Sequence, residues 1–393
     1  MQKFDVAVIG LGALGSGAAY HAALKGASVI AFEQFELGHV RGASHDTSRI
    51  VRKSYGAPEY VKLAISAYKD WAQLEERTGQ QWLTITGGIT IFPKDSPKKA
   101  KDYTESLSAN NVPYELLSPE QVKARWPQFT PPDGSETVYT ADTGIVHASK
   151  SVAAMQYEAR TLGATLKEKT RVDRVIPTDG GVIIETSKGR FWAGKVIIAA
   201  DAWANELLRP LNAQIPLDVM QEQVTYFRPK LEEIAAYEPD KFPVWVVAGE
   251  NWFYGFPTYG EPTIKAGRDI AYNRMTPDKR TFAHSPELLA ELENLMTEII
   301  PGKGESLRTI TCQYAITPNR EFVISPLKEH KDVIVALGGG HAFKFAPTIG
   351  RVVAELAIDG KTTDDISKFG VPKTDSDDLA SFGIGKTAPS SRL

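Results

Sequence analysis

The sequence predicts a mixed α/β (α+β) protein in which one α/β domain and one β-rich domain are interleaved along the chain. Two observations support this prediction. Segments that alternate strand and helix recur at the start, the middle and the end of the 393 residues, and two β-rich insertions separate them. The predicted α/β domain comprises residues 1–80, 148–215 and 326–370, the β-rich domain comprises 81–147 and 216–325, and 371–393 form a C-terminal tail.

The composition is that of an ordinary globular protein and excludes several classes of function. Lys and Arg number 45 against 48 Asp and Glu, so no basic excess points to nucleic acid or to an anionic membrane. No apolar run is long enough to predict a membrane-spanning helix. With one cysteine and seven scattered histidines, the sequence predicts neither a disulfide framework nor a metal site.

The two termini bear on the compartment. The first residues are typical of a strand and not of a signal peptide, which favours a cytoplasmic protein. The last three residues, Ser391-Arg392-Leu393, resemble the peroxisomal tripeptide Ser-Lys-Leu and would indicate a peroxisome if the source is a eukaryote. The alternative is a polar tail without a targeting role.

The first element is a strand that leads into a glycine-rich turn and a helix. The turn carries Gly10-x-Gly12-x-x-Gly15, in which Gly10 makes the tight turn, Gly12 admits a pyrophosphate and Gly15 lets helix and strand pack closely. Ala13 and Leu14 then begin the helix and offer free N–H groups to phosphates. Glu33 ends the next strand and is placed to bind a ribose diol. The motif occurs once, which favours FAD as the one bound dinucleotide, because an NAD-dependent flavoenzyme often carries a second such motif. The alternative is a glycine-rich turn in an unrelated α/β protein.

The remaining elements follow from apolar periodicity and from turn and capping residues. Ser118 and Pro119 are typical of a helix N-cap and first position, and Gly87-Gly88 indicates a bend between strands. The predicted helices span about 58–77, 149–162, 286–300 and 347–359, and the predicted strand regions span 82–92, 165–201, 216–270, 306–325 and 333–337.

Three further motifs carry a family resemblance. Residues 42–52 read Gly-Ala-Ser-His-Asp-Thr-Ser-Arg-Ile-Val-Arg, 311–318 read Thr-Cys-Gln-Tyr-Ala-Ile-Thr-Pro, and 338–345 read Gly-Gly-Gly-His-Ala-Phe-Lys-Phe. Together with the N-terminal fingerprint, the chain from about residue 4 to 370 resembles the monomeric sarcosine oxidase family, which includes N-methyltryptophan, pipecolate and fructosyl-amino-acid oxidases. The resemblance implies a fold like that of D-amino-acid oxidase, with a discontinuous Rossmann-type FAD domain and an antiparallel sheet over the active site.

The resemblance also implies how the cofactor is held. FAD would be attached covalently through a thioether to Cys312, whereas a lone cysteine without such a motif is more often a small buried apolar residue. The other cofactor contacts implied by the resemblance are Ser44, Thr47, Arg49, Val172, Ala200, Trp203, Gly338, Gly339, Gly340, His341, Phe343 and Lys344.

Four charged residues receive roles in the chemistry through the same resemblance. Arg52 and Lys344 would grip the substrate carboxylate, Lys265 would lie over the flavin ring and assist electron transfer to O₂, and Arg49 would tune the flavin. His45 would act beside Arg49, and Tyr254 and Tyr314 would form aromatic walls. The alternatives are a surface salt bridge for Arg52, a strand-edge lysine for Lys265 and core packing for the tyrosines.

Two positions depart from the sarcosine oxidase pattern. Asp269 stands where sarcosine oxidases have His, and Trp245 stands where a slimmer Met is usual. An acid at the first position resembles the fructosyl-amino-acid oxidases, in which it contacts the sugar-bearing part, although Asp269 beside Arg268 is also consistent with an exposed ion pair.

The leading hypothesis is therefore a monomeric flavin oxidase of a secondary amino acid that uses O₂ and releases H₂O₂. The alternatives are a fructosyl-amino-acid oxidase, a dehydrogenase of the same fold with another electron acceptor, and an NAD-dependent or nucleotide-binding protein without flavin.

Overall fold

The computed structural model describes residues 1–372. Its strands and helices follow in the order β1 (Gln2–Ile9), α1 (Ala13–Leu24), β2 (Val29–Phe32), β3 (Ser48–Val51), α2 (Pro58–Thr78), β4 (Leu83–Ile85), β5 (Gly88–Phe92), α3 (Ala100–Ala109), β6 (Glu115–Leu117), α4 (Pro119–Arg125), β7 (Glu136–Thr140), β8 (Gly144–His147), α5 (Ala148–Thr161), β9 (Thr165–Lys167), β10 (Val172–Thr178), β11 (Gly181–Thr186), β12 (Gly189–Ile198), α6 (Ala204–Leu208), β13 (Asp218–Arg228), β14 (Val244–Ala248), β15 (Trp252–Phe256), β16 (Ile264–Asp269), α7 (Pro286–Ile299), β17 (Glu305–Ile316), β18 (Val323–Pro326), β19 (Val333–Leu337) and α8 (Ala346–Ile358).

The first large sheet has a parallel centre. Strand β1 lies between β2 and β12, all three in parallel, β9 extends the sheet beyond β2, and β19 pairs in parallel with the end of β12. The hairpin β10–β11 and strand β18 complete it in antiparallel pairing. Side chains alternate between its faces: Val6 and Val8 pack on one side, Ala7 and Ile9 on the other. Both faces of this sheet are therefore covered, as is usual for parallel strands.

Helices α1, α2, α5 and α8 cover one face of this sheet. Two glycines allow α1 and α8 to approach closely. A Cβ atom on Gly350 would lie 2.3 Å from the backbone carbon of Gly17, and one on Gly17 would lie 2.5 Å from the Ala346 carbonyl oxygen. No larger residue fits at this crossing without a shift of backbone.

The second large sheet has eight strands in the order β17–β13–β16–β15–β14–β5–β7–β6. All its pairs are antiparallel except β14 with β5. Helix α7 packs behind it through Leu292 and Met296. A small sheet, β3–β8–β4, joins β3, which precedes the first β-rich segment 81–147, to β4 and β8 near the two ends of that segment.

The sequence-derived elements agree closely with these bounds. Helices α2, α5, α7 and α8 each lie within two residues of the predicted ends, and Ser118 caps α4 by accepting a hydrogen bond from the Gln121 N–H. Gly87 has a φ of 70° between β4 and β5, as the predicted bend requires. The mixed α/β fold class is confirmed.

The division into domains stays a prediction. The strands of the first sheet lie within 2–32, 165–198 and 323–337, and those of the second within 88–140 and 218–316. Strand β18 begins at Val323, three residues before the predicted segment 326–370. The Ser391-Arg392-Leu393 tripeptide lies outside the described residues. No helix within residues 1–372 has the length and apolar character needed to cross a bilayer.

Candidate active site

A cavity of about 680 Å³ runs from the glycine turn after β1 to the ends of β15, β16 and β17. Its wall combines residues of the first sheet with residues of the second, so both sheets contribute to one site. The predicted site residues that line it are Gly10, Gly12, Ala13, Leu14, Glu33, Ser44, His45, Arg49, Arg52, Val172, Ala200, Trp203, Tyr254, Lys265, Asp269, Cys312, Tyr314, Gly338, Gly340, His341, Phe343 and Lys344.

The glycine turn is as tight as the sequence predicts. Gly10 has a φ of +91°, and a Cβ atom there would lie 2.6 Å from the Ala199 carbonyl oxygen. A Cβ atom on Gly15 would lie 1.8 Å from the Gly10 carbonyl oxygen, so Gly15 permits the close packing of α1 on the turn and does not itself line the cavity. The N-terminus of α1 consequently opens directly into the cavity.

Two side chains bind the backbone of this turn. Glu33 accepts hydrogen bonds from the N–H groups of Leu11 at 2.9 Å and Phe35 at 3.1 Å, and Ser44 Oγ accepts one from the Ala13 N–H at 2.9 Å. Burial opposes the ionisation of Glu33, but hydrogen bonds from His39 and from the Leu11 N–H outweigh it and lower the pKa of this carboxyl. Glu33 is therefore an ionised acceptor at the end of β2.

Several polar atoms in the cavity wall have no hydrogen-bond partner within the described chain: Asp201 Oδ2, His45 Nε2, Arg52 Nη1 and His341 Nδ1. Buried polar atoms are normally satisfied, so such a set indicates a polar ligand or ordered water. The elongated cavity, the tight glycine turn and the open helix N-terminus suit a dinucleotide. The residues present therefore fit FAD.

Lys265 occupies the part of the cavity roofed by the second sheet. Its ammonium group is buried, donates hydrogen bonds to Asp46 Oδ2 at 3.0 Å and to the Ser48 carbonyl oxygen at 2.8 Å, and lies 4.5 Å from the centre of the Phe256 ring. Burial lowers the pKa of Lys265 to about 8, although Asp46 opposes the shift. The strand-edge alternative, with the lysine in water, is excluded by this position.

Arg49 and His45 belong to the segment that also supplies Asp46. The Arg49 guanidinium donates to the carbonyl oxygens of Ser48, Ala43 and His45, which fixes the loop before β3. Burial and the nearby Arg49 cation lower the pKa of His45 to about 3, so its imidazole is neutral.

Arg52 and Lys344 both line the cavity, and each lies near the Tyr55 ring. The Arg52 guanidinium stacks 5.2 Å from the Tyr55 ring centre, and Lys344 Nζ donates to the His341 carbonyl oxygen at 2.8 Å. Burial, and then the Arg52 cation, lower the pKa of Lys344 well below its usual range. A carboxylate bound between them would supply the missing countercharge.

Asp269 is held by a residue that the sequence analysis missed. Arg320 donates two parallel hydrogen bonds to it, from Nη1 to Oδ2 at 2.9 Å and from Nη2 to Oδ1 at 3.1 Å. The alternative of an exposed ion pair between Asp269 and Arg268 is wrong, because the Arg268 guanidinium donates hydrogen bonds to Glu291 and to Asn251 Oδ1. Arg320 lies two residues after the end of the 311–318 motif, and this proximity was the only feature of the sequence that pointed to a role for Arg320 in the site.

Three other predicted contacts stand apart from the cavity wall. Trp245 is fully buried against Gly255 in the core of the second sheet, and the adjacent Val246 faces the cavity instead. Side chains alternate along a strand, so an offset of one residue moves the contact to the other face. Thr47 bonds the Tyr226 hydroxyl at 2.9 Å, and Gly339 makes a tight turn against the Arg320 carbonyl oxygen.

Cys312 lies on β17 in the cavity wall, opposite Glu222 on β13. Burial raises the pKa of its thiol to about 11, while the Arg49 and Arg280 cations act in the opposite direction. Glu222 is itself buried, and burial followed by the charge of Asp269 raises its pKa to about 8. The thiol therefore faces the cavity beside a neutral carboxyl group.

Comparison with known proteins gives consistent results. The family model for FAD dependent oxidoreductase (DAO) matches residues 5–356. Monomeric sarcosine oxidase of Bacillus sp. (strain B-0618) is 32% identical over 94% of this chain and 95% of its own length, and N-methyl-L-tryptophan oxidase of Yersinia pestis (strain Pestoides F) is 28% identical over 95% and 100%. The solved structure of NikD, an amino acid oxidase of nikkomycin biosynthesis, has a TM-score of 0.83 and 25% identity over 94% of this chain and 98% of that one.

The family match covers most of the chain, and the structural match covers nearly all of both proteins. The chain therefore belongs to the DAO family of FAD-dependent oxidoreductases, alongside the monomeric sarcosine oxidases.

Proposed function

We propose that the protein is an oxidase of a secondary amino acid. The substrate C–N bond loses a hydride and a proton to become an imine, water hydrolyses the imine to an amine and a carbonyl compound, and O₂ takes up two electrons and two protons to become H₂O₂. An N-methyl substrate would release formaldehyde. Similarity to sarcosine and N-methyl-L-tryptophan oxidases supports this reaction class.

The charge balance at the substrate end carries the proposal. The two acids that line this end are already paired, Asp46 with Lys265 and Asp269 with Arg320. Arg52 and Lys344 are left without an acid within 4.0 Å among the described residues, and both line the cavity. Arg52 and Lys344 are suited to bind one carboxylate, with Arg as a planar fork and Lys as a point charge. The negative charge of that carboxylate would favour the protonated form of Lys344, which burial and Arg52 oppose in its absence.

FAD supplies the hydride acceptor and the electrons for O₂ when it is bound. The turn at Gly10 and Gly12 and the carboxylate of Glu33 are proposed to hold its nucleotide part. The loop at Gly338 and Gly340 is proposed to face the ring system. Tyr254 and Tyr314 are proposed to contact the substrate from the cavity wall. Val246, which lines the cavity, is proposed to make the substrate contact that the resemblance implies for Trp245.

A specific observation keeps the fructosyl-amino-acid oxidase as the second candidate. Asp269 faces the cavity as a carboxylate fixed in place by Arg320. A fixed acceptor of this kind suits hydroxyl groups on the part of the substrate beyond the nitrogen. A substrate that lacks such donors would leave Asp269 facing the cavity without a role.

The first experiment is anaerobic reduction of the purified yellow protein, followed through loss of the flavin absorbance. The panel consists of sarcosine, N-methyltryptophan, pipecolate and a fructosyl amino acid, with the free primary amino acids as controls. Bleaching by one secondary amine, followed by recovery and H₂O₂ release on admission of air, is expected. A yellow protein that none of them bleaches would contradict the proposed substrate class.

Covalent attachment through Cys312 is a separate part of the proposal. After acid precipitation the flavin is expected to stay with the wild-type protein and to appear in the supernatant of Cys312→Ser. The thiol lies in the cavity wall beside Arg49, which favours its ionised form during attachment. Complete release of flavin from the wild-type protein would show that binding is non-covalent.

A further inference from the structure

We propose that Asp46 is a positioning residue that keeps Lys265 protonated and aimed into the cavity for the reaction with O₂. This inference rests on the proposed function and on the role in electron transfer to O₂ that the family resemblance implies for Lys265. Asp46 lies inside the 42–52 motif, and the resemblance assigns it no role.

Both carboxylate oxygens of Asp46 accept hydrogen bonds. Asp46 Oδ2 accepts the hydrogen bond from Lys265 Nζ at 3.0 Å, and Oδ1 accepts one from the Tyr226 hydroxyl at 2.6 Å. The Lys265 and Asp46 side chains are only 3% and 6% exposed, the most buried ion pair within residues 1–372. Since the Ser48 carbonyl oxygen accepts a hydrogen bond from a second N–H of the ammonium group, one N–H of Lys265 remains for the cavity.

Asp46 is not needed to fix its own backbone. Its carbonyl oxygen accepts hydrogen bonds from the Ser149 N–H at 3.1 Å and from the Ser149 hydroxyl at 3.0 Å, which tie it to the start of α5. Its φ of 79° lies in the left-handed region, which Asn also adopts readily. Asp46→Asn should therefore keep the loop in place. It removes the negative charge that Asp46 presents to Lys265 Nζ at 3.0 Å and to Arg49 Nη1 at 3.8 Å, and it leaves one acceptor oxygen in place of two.

Among the described residues, Asp46 is the one carboxylate that pairs with Lys265. The other groups that face the lysine are Arg49 on β3, His147 on β8, Tyr226 on β13, Phe256 on β15 and Cys312 on β17. Arg49 opposes the lysine charge, and burial lowers the pKa of His147 and so disfavours its cation. Cys312 is a neutral thiol, or a thioether if flavin is attached. Burial lowers the pKa of Lys265 to about 8 even with Asp46 present.

Removal of the Asp46 charge would leave a buried lysine beside Arg49 with nothing to offset desolvation. An opposite charge at this distance shifts a pKa by about one to three units, so the Lys265 pKa should fall below neutrality. At pH 7.5 most Lys265 side chains would then be neutral. A neutral lysine cannot stabilise the negative charge that develops on O₂. The amine half-reaction does not require that cation.

The experiment separates the two half-reactions of Asp46→Asn by stopped flow. At pH 7.5 the rate constant for reoxidation by O₂ is expected to fall about tenfold or more, and to recover as the pH is lowered and Lys265 regains its proton. Anaerobic reduction by the amine should change less than threefold (about 0.6 kcal/mol). In the wild type, reoxidation should decline only as the pH rises through about 8.

Two controls test whether the effect acts through Lys265. Lys265→Met should reoxidise slowly at every pH, and the double variant with Asp46→Asn should be no slower than Lys265→Met alone. Asp142→Asn makes the same chemical change at a carboxylate that pairs with Lys53, and it should leave reoxidation unchanged. Additive losses in the double variant would overturn the proposed positioning role.

A titration that needs no turnover distinguishes this inference from the proposed function. In full-length protein with isotope-labelled lysine, the Lys265 signal, assigned with Lys265→Met, should titrate at least one pH unit lower in Asp46→Asn than in the wild type. An unchanged midpoint would overturn the inference while leaving the oxidase proposal intact. A shifted midpoint in a protein that no amine reduces would contradict the oxidase proposal alone.

Discussion

At the scale of single residues, the pair formed by Asp269 and Arg320 should stabilise the folded protein. Two parallel hydrogen bonds join them, and the side chains are 20% and 26% exposed. A double-mutant cycle with Asp269→Ala and Arg320→Ala in urea unfolding should give a coupling energy of about 1–3 kcal/mol, because a bidentate pair with limited solvent contact is stronger than a surface pair.

The pair of Lys53 and Asp142 provides the matched comparison. It is joined by one hydrogen bond of 2.6 Å with side chains 20% and 35% exposed. Its coupling energy should be about 0.2–1 kcal/mol, as for exposed ion pairs. Equal coupling in both cycles would contradict the stronger role assigned to Arg320.

Some residues of the candidate site could be predicted from the sequence, and others could not. Arg52 and Lys344 could be placed in one cavity because they lie in the 42–52 and 338–345 motifs, and Lys265 could be placed there through the family resemblance alone. The partners Asp46 and Arg320 could not be assigned, since an ion pair between positions 219 residues apart depends on how the two sheets close on each other. Trp245 was assigned to the cavity where Val246 lies, because a strand changes face at every residue.

At the scale of secondary-structure elements, the crossing of α1 and α8 should tolerate no added methyl group. Gly350→Ala would place a Cβ atom 2.3 Å from the backbone of Gly17, so the helices would have to separate. Overpacking of this kind costs about 1–3 kcal/mol. Thermal or urea unfolding should show this loss, although Ala normally stabilises a helix relative to Gly by about 1 kcal/mol.

Gly370→Ala is the control for that change. No heavy atom lies within 4 Å of a Cβ atom built on Gly370, and its φ lies outside the left-handed region. Its stability should remain within about 0.5 kcal/mol of the wild type. An increase in stability for Gly350→Ala would show that the helices are not in such close contact.

Periodicity and capping residues were sufficient to locate the elements themselves. Helix α2 extends over Pro58–Thr78 because its apolar residues recur at helical spacing and Pro58 suits a first position. The neighbours of each strand could not be obtained in this way. Strand β12, for example, pairs with β1, β11 and β19, whose paired residues lie up to 189 positions away in sequence, and no local pattern encodes that choice.

At the scale of the whole molecule, both large sheets contribute to the wall of one cavity. Its wall takes Gly10 and Glu33 from the first sheet and Lys265, Cys312 and Tyr254 from the second. The interleaving of the two sheets was predictable from the recurrence of α/β segments. The size of the cavity was not, since it depends on the closure of one sheet over the other.

The last prediction concerns removal of the cofactor from this shared cavity. In Cys312→Ser, from which flavin can be released, the melting temperature should fall on removal of FAD and rise again with each increase in added FAD. A ligand that binds only the folded state stabilises it by RT ln(1 + [L]/Kd), about 2.7 kcal/mol at a hundredfold excess over Kd. Because residues of both sheets line the cavity, one transition should shift as a whole. A shift with NADH and none with FAD would instead support a nicotinamide-binding protein, and two separate transitions would show that the sheets unfold independently.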